Sequence, residues 1–133
     1  MKNHIVTYKV KLDDLDFMSI VGNSNWPVIL ERARVEYLEE IGFPFSQMLE
    51  DKIGVVVAEY HFKFIKPAYF NDILKIDMSP HSPFSKGFTL KYSVTNQHNV
   101  ECLRAEITLV FIDQKGKPAH MPEKLKNLLF HSS

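Results

Sequence analysis

One stretch of this chain limits its fold more than any other. Trp26, Ile29, Leu30, Ala33, Tyr37, Leu38 and Ile41 recur at steps of three and four residues, while Glu31, Arg32, Glu36, Glu39 and Glu40 fall mostly on the other side. Asn23, Ser24 and Asn25 are all good N-cap residues, Pro27 suits a first turn where its missing N–H costs nothing, and Gly42 with Pro44 stops the run. The pattern predicts one helix of roughly 17 residues, about 26 Å long at 1.5 Å per residue. Its apolar face needs a cover, and the remaining sequence reads as sheet.

Val6, Tyr8, Val10 and Leu12 alternate with Thr7, Lys9 and Lys11, which predicts a half-buried strand over residues 4–12. After the helix, FPFSQMLED has room for one short helical turn. Residues 53–65 read as a long strand, first apolar on both faces and then alternating Tyr60, Phe62 and Phe64 against Glu59, His61 and Lys63. Leu74, Ile76 and Met78 predict a third strand that ends in the turn-rich SPHSPFSKG; Phe88, Leu90, Tyr92 and Val94 a fourth; Leu103, Ala105, Ile107, Leu109 and Phe111 a fifth. Pro122 opens a short helix through Leu125, Leu128 and Leu129. The expected order is β-α-β-β-β-β plus that helix, with the last four strands an antiparallel meander.

Five strands about 4.8 Å apart make a sheet over 20 Å wide, while a helix is only about 10 to 12 Å across. A flat sheet would stay half uncovered, so the sheet is expected to curl around the helix and to offer its remainder to a second copy. This is the geometry of a hot-dog fold, of α+β class; a cystatin-like or cone-shaped α+β fold has a related element order. At 133 residues the chain suits a single domain over residues 1–133. Basic and acidic residues number 16 each, so no global field exists to recruit nucleic acid or an anionic membrane. Cys102 is the only cysteine, which excludes an internal disulfide; no apolar run is long enough to span a bilayer, and the N-terminus lacks the run of a signal peptide. A cytoplasmic address is the expectation. No P-loop, dinucleotide fingerprint or metal-ligand spacing occurs, so no cofactor is implied.

Asp14-Leu15-Asp16, Ile20-Val21, Asn25-Trp26 and Glu31-Arg32-Ala33-Arg34 resemble the Asp-x-Asp, Gly-Val-Val, Asn-Tyr and Glu-Arg-Ala-Arg of the small hot-dog acyl-CoA thioesterases, of the 4-hydroxybenzoyl-CoA and Tol–Pal-cluster type. Lys66-Pro67-Ala68, Asn71-Asp72-Ile73-Leu74 and Gly116-Lys117-Pro118 are similar to further segments of that family, so the resemblance covers almost the whole chain. It implies hydrolysis of an acyl thioester of coenzyme A or of an acyl carrier protein, by a homo-oligomer, dimer or tetramer. It puts the catalytic carboxylate on Asp16, as nucleophile or general base, and the oxyanion donor on the backbone N–H of Asn23, beside Ser24 and Asn25. An amide from Asn23 or Asn25 would polarise the carbonyl or orient water. The chain departs from the family at Gly22-Asn23, where Tol–Pal-type members carry Tyr-His, and at Ser19, where glycine is usual.

Each candidate has a plainer reading. Asp14 and Asp16 also serve as loop carboxylates that favour a helix N-terminus by about 0.3 to 1 kcal/mol. Ser85-Lys86-Gly87 and Arg104 are candidates to clamp coenzyme A phosphates, and equally a solvated surface. Glu31, Arg32 and Arg34 read as surface charges or an intersubunit pair. Glu59 and His61 form an acid–histidine pair on the outer side of one strand. Cys102 lacks a positioned histidine, so the sequence does not point to a nucleophilic thiol. The rivals to hydrolysis are a dehydratase or hydratase, which would want a histidine near the helix start, and a non-catalytic acyl-CoA-binding module.

Overall fold

The computed structural model describes residues 3–131. Five strands, β1 (His4–Lys9), β2 (Gly54–Phe64), β3 (Ile73–Phe84), β4 (Gly87–Thr95) and β5 (Glu101–Ile112), form one open antiparallel sheet in the order β1-β3-β4-β5-β2. Helix α1 (Trp26–Glu40) lies on its inner face and packs most closely on β1 and β3; α2 (Phe45–Asp51) follows it, and α3 (Glu123–Phe130) covers the far end of the same face. This is the hot-dog arrangement: one long helix held by an antiparallel sheet.

All the apolar positions read on the helix are buried, except that Ile41 is half-buried. They share one core with Leu74, Ile76, Met78, Leu90, Val94, Leu103 and Ile107, each at most 1% exposed. Gly42 adopts a φ of 101°, a left-handed conformation that ends the helix without the steric penalty of a Cβ.

Three expectations need correction. The last four strands are not a meander: β2 pairs with β5, not with β3, because residues 65–72 carry the chain across the end of the sheet instead of turning back as a hairpin. The first strand ends at Lys9, and a single helical turn at Leu12–Asp14 leaves Leu12 71% exposed, off the buried face. The third strand does not stop at its Ser-Pro-His-Ser-Pro run but continues to Phe84. Among the described residues, its pairing with β1 ends at Met78, so beyond that point one side of β3 is a free edge, where the missing N–H groups of Pro80 and Pro83 break no ladder.

The mixed pattern of residues 53–65 has a physical source. Val55 and Val57 face inward opposite Phe111 and Leu109; Ala58 is an extra residue; and after this bulge Tyr60, Phe62 and Phe64 face inward opposite Ile107, Ala105 and Leu103. The bulge resets which residues point inward. Without it, Glu59, His61 and Lys63 would point at the core.

Candidate active site

Of the three carboxylates in the loop from β1 to α1, Asp13, Asp14 and Asp16, the fold treats the last two in opposite ways. Asp14 is buried, and its Oδ2 accepts the Tyr8 hydroxyl at 2.7 Å and the Lys11 N–H at 2.9 Å. Arg32 of α1 donates to the same Tyr8 oxygen at 3.2 Å, which ties strand, loop and helix together. Burial, reinforced by the Asp14 carboxylate, pushes the Tyr8 phenol up to about 12, so it stays a donor. Asp14 is thereby committed to holding the loop.

Asp16 is exposed. Its Oδ1 accepts the Met18 N–H at 2.8 Å, its own N–H donates to the Ile20 carbonyl at 2.9 Å, and its carbonyl accepts the Ser19 N–H at 3.0 Å. This tight turn holds Ser19 at a φ of 63°, a conformation glycine takes without strain. Oδ2 has no protein partner among the described residues. It stands over Gly22, where an added Cβ would lie 3.2 Å from Asp16 Cβ, 3.3 Å from Asn25 Nδ2 and 3.5 Å from Asp16 Oδ2. A side chain at position 22 would push Asp16 aside. The carboxylate and the Asn25 amide therefore flank one backbone unit.

From that unit the chain enters α1. The Asn25 and Trp26 N–H groups both donate to the Gly22 carbonyl, at 2.9 and 3.2 Å, while those of Asn23 and Ser24, both exposed residues, have no partner among the described residues. Asn25 is the N-cap by position but makes no side-chain cap bond; its amide instead donates to the Asp14 carbonyl at 2.8 Å. Its geometry is that of a brace between loop and helix. An unpartnered carboxylate oxygen next to two unpaired N–H groups at a helix start is suited to acyl transfer: the oxygen attacks or takes a proton, and the donors receive the developing oxyanion.

The other candidates lie elsewhere. Ser85, Lys86 and Gly87 form the hairpin between β3 and β4, and the 12 residues of β3, roughly 36 Å of strand, separate it from the Asp16 loop at the opposite end. Ser85 Oγ sits 3.0 Å from His120 Nδ1, and Gly87 is required where it is because a Cβ there would collide with the Leu109 carbonyl oxygen. Arg104 is on the outer face, bonded to Glu101 at 2.6 and 3.0 Å, and that guanidinium holds the Glu101 carboxyl below its ordinary range. His61 Nε2 and Glu59 Oε1 are 3.5 Å apart on the same exposed face. Cys102 is buried, and burial raises its thiol, the opposite of activation.

The sequence reading gave Arg34 as a surface charge or part of an intersubunit pair, and the structure corrects the first of these. Arg34 is 6% exposed, donates from Nη1 to the Tyr92 hydroxyl at 3.0 Å, and reaches Glu31 only at 3.8 Å. The signal was present: Arg34 follows Leu30 by four residues and precedes Tyr37 by three, on the buried stripe. It lines a recess of about 520 Å³ between α1, α2 and β2, with Glu31, Leu38, Met48, Val57 and Tyr60. A second recess of about 560 Å³ lies on the outer face, where Lys63, Lys91 and Arg104 stand among Asp77 and Glu106.

Comparison with known proteins gives this geometry its context. The family model of the thioesterase-like superfamily matches residues 10–129. An acyl-CoA thioesterase of Haemophilus influenzae, YbgC, is 25% identical over 126 residues, 92% of this chain and 91% of its own. A crystal structure of a hypothetical protein from Aquifex aeolicus superposes with a TM-score of 0.88 at 25% identity, covering 95% of this chain and 98% of that one. The 1,4-dihydroxy-2-naphthoyl-CoA thioesterase of Synechocystis gives a TM-score of 0.89 at 16% identity, over 98% and 97% of the two chains. Among the described residues no helix is long and apolar enough to cross a membrane.

Proposed function

Because the chain belongs to the thioesterase-like superfamily, we propose that it hydrolyses the thioester of an acyl-coenzyme A, with Asp16 as the reacting carboxylate and the Asn23 N–H as oxyanion donor. The observation that carries this reading is the free Oδ2 of Asp16 standing over Gly22, one residue before the unpaired N–H groups of Asn23 and Ser24.

Two routes use the same groups. As general base, Asp16 takes a proton from water, the oxygen of that water bonds to the thioester carbonyl carbon, and the oxyanion accepts the backbone N–H. Collapse breaks the C–S bond, and the departing thiolate takes up the proton. As nucleophile, the carboxylate bonds to the carbonyl carbon and expels the thiolate, leaving a mixed anhydride that water opens to free acid and Asp16. Asn25 supports either route by bracing the loop through the Asp14 carbonyl.

In the same reading the working unit is a homo-oligomer. Among the described residues the outer edge of β2 has no strand beside it, and its inward side chains Tyr60 and Phe64 are 51% and 49% exposed, which suits pairing across a two-fold axis. A second copy would also bring groups that lie far apart within one chain, such as the Ser85–Lys86–Gly87 hairpin and the Asp16 loop, into one assembly.

The test is thiol release from a series of acyl-coenzyme A thioesters, run beside a binding measurement on the same compounds. Release with turnover is expected. Binding without release would replace the hydrolase by an acyl-CoA-binding module, and hydration of an enoyl thioester without thiol release would make it a hydratase.

A further inference from the structure

A buried cation needs a counter-charge, and among the described residues Arg34 has only a long and largely solvated ion pair. Its hydroxyl partner Tyr92 is 2% exposed and burial raises that phenol, so it stays neutral; Glu31 is 3.8 Å away with its side chain 66% exposed to water. Among the described residues the one hydrogen bond of the Arg34 guanidinium is to Tyr92, and Arg34 is part of the wall of the recess of about 520 Å³. Apart from Glu31 and Arg34 the lining is apolar or aromatic, including Leu38, Phe45, Met48, Val57 and Leu109. An apolar chamber whose one cation is buried in its wall, and whose one carboxylate, Glu31, is mostly solvated, suits a mostly apolar molecule carrying one anionic group that takes the place of Glu31 beside Arg34.

The recess is linked to the candidate site. Tyr60 lines it, and Phe62 and Phe64 continue along the same inward side of β2, with ring centroids 5.5 and 5.9 Å apart in edge-to-face contact. Phe64 leads into residues 65–72, where Ala68 accepts the Val21 N–H and Tyr69 bridges Ile20, both in the loop that carries Asp16. The aromatic track thus runs from the Asp16 end of α1 to Arg34, which lies roughly 12 Å along the helix from Trp26 at 1.5 Å per residue.

We propose that this recess receives the far end of the acyl group and that Arg34 selects acyl groups ending in a carboxylate. The substrate class is then the ω-carboxyacyl thioester, the half-thioester of a dicarboxylic acid. This rests on the reading of the chain as an acyl-thioester enzyme, with the acyl group laid along Phe64, Phe62 and Tyr60, and it adds Arg34 as a specificity residue.

The test uses non-hydrolysable S-alkyl coenzyme A thioethers, so that it reports on the recess whether or not thioesters are turned over. Two compounds of equal chain length, one ending in a carboxylate and one in a methyl group, are titrated against the wild-type protein and Arg34→Gln. The wild type is expected to bind the carboxylated compound about tenfold or more tightly, about 1.4 kcal/mol, and Arg34→Gln to lose that difference. Equal or tighter wild-type binding of the methyl-ended compound overturns the inference without any need for the variant, as does a preference that survives in Arg34→Gln. Loss of oligomer in Arg34→Gln, with no wild-type preference, assigns the counter-ion to a carboxylate of a second copy and also overturns it. Failure of the hydrolase reading looks different: no thiol release from any thioester.

Discussion

Beneath α1 the inner face of the sheet is sealed, with Leu74, Ile76, Met78 and Val94 inaccessible to solvent; three strands away, on β2, the same face shows Tyr60 and Phe64 half exposed. Both regions are built from inward-facing apolar side chains on regular strands. They differ in what covers them, because a single helix spans only part of a five-stranded sheet. The sealed half holds the fold together, and the open half is the one that a second copy and an acyl chain would cover in the proposed function. The loop before α1 repeats the contrast on a smaller scale: Asp14 is buried with two donors on one oxygen, and Asp16, two residues later, keeps an oxygen free. Residues spent on structure and residues available for chemistry sit side by side.

Mutations on the two sides of this divide should separate cleanly. The largest loss of stability is expected in the sealed half, where Ile76→Ala removes a fully buried side chain and leaves a cavity, at a cost of about 2 to 5 kcal/mol read from denaturant unfolding. A loss below 1 kcal/mol would mean that this half is loosely packed and the contrast is wrong. Next comes Asp14→Ala, which strands the Tyr8 hydroxyl and the Lys11 N–H in a partly buried site and should cost about 1 to 3 kcal/mol. It should also lower turnover, because the loop that positions Asp16 loses its anchor. At the open edge, Phe64→Ser should cost less than about 1 kcal/mol in the isolated chain. Its effect is expected in light scattering, as a shift to smaller species at micromolar concentration, and in a rise of KM for long acyl groups. Unchanged mass and kinetics in that variant would remove β2 from both roles.

Much of this contrast was legible in the sequence. The helix face and the alternation of β4 and β5 follow from side-chain period alone, and their inward residues are the buried ones. What escaped depends on partners distant in sequence. The neighbour of β2 could not be read from loop length, because residues 65–72 look like a turn and act as a crossing. The prolines of β3 read as a turn, since only the tertiary arrangement shows that β1 has ended beside them. Nothing local distinguishes Asp14 from Asp16: the choice is made by Tyr8 from β1 and Arg32 from α1, which close on one of them. The surface reading of Arg34 failed because its charge outweighed its position on the buried stripe.

A similarly small change in stability is expected at the residue on which the mechanism turns. Asp16→Asn keeps the size of the side chain and an acceptor for the Met18 N–H, so it should shift unfolding by no more than about 1 kcal/mol. Asn can neither take a proton from water nor attack as a carboxylate. Wild type and Asp16→Asn are assayed for thiol release on the same acyl-coenzyme A, each with a melting curve. A variant that melts like the wild type and retains only the residual rate supplied by backbone donors and positioning is the predicted result. Full turnover by a well-folded Asp16→Asn protein would contradict the mechanism and pass the search to Asp14 and Glu31.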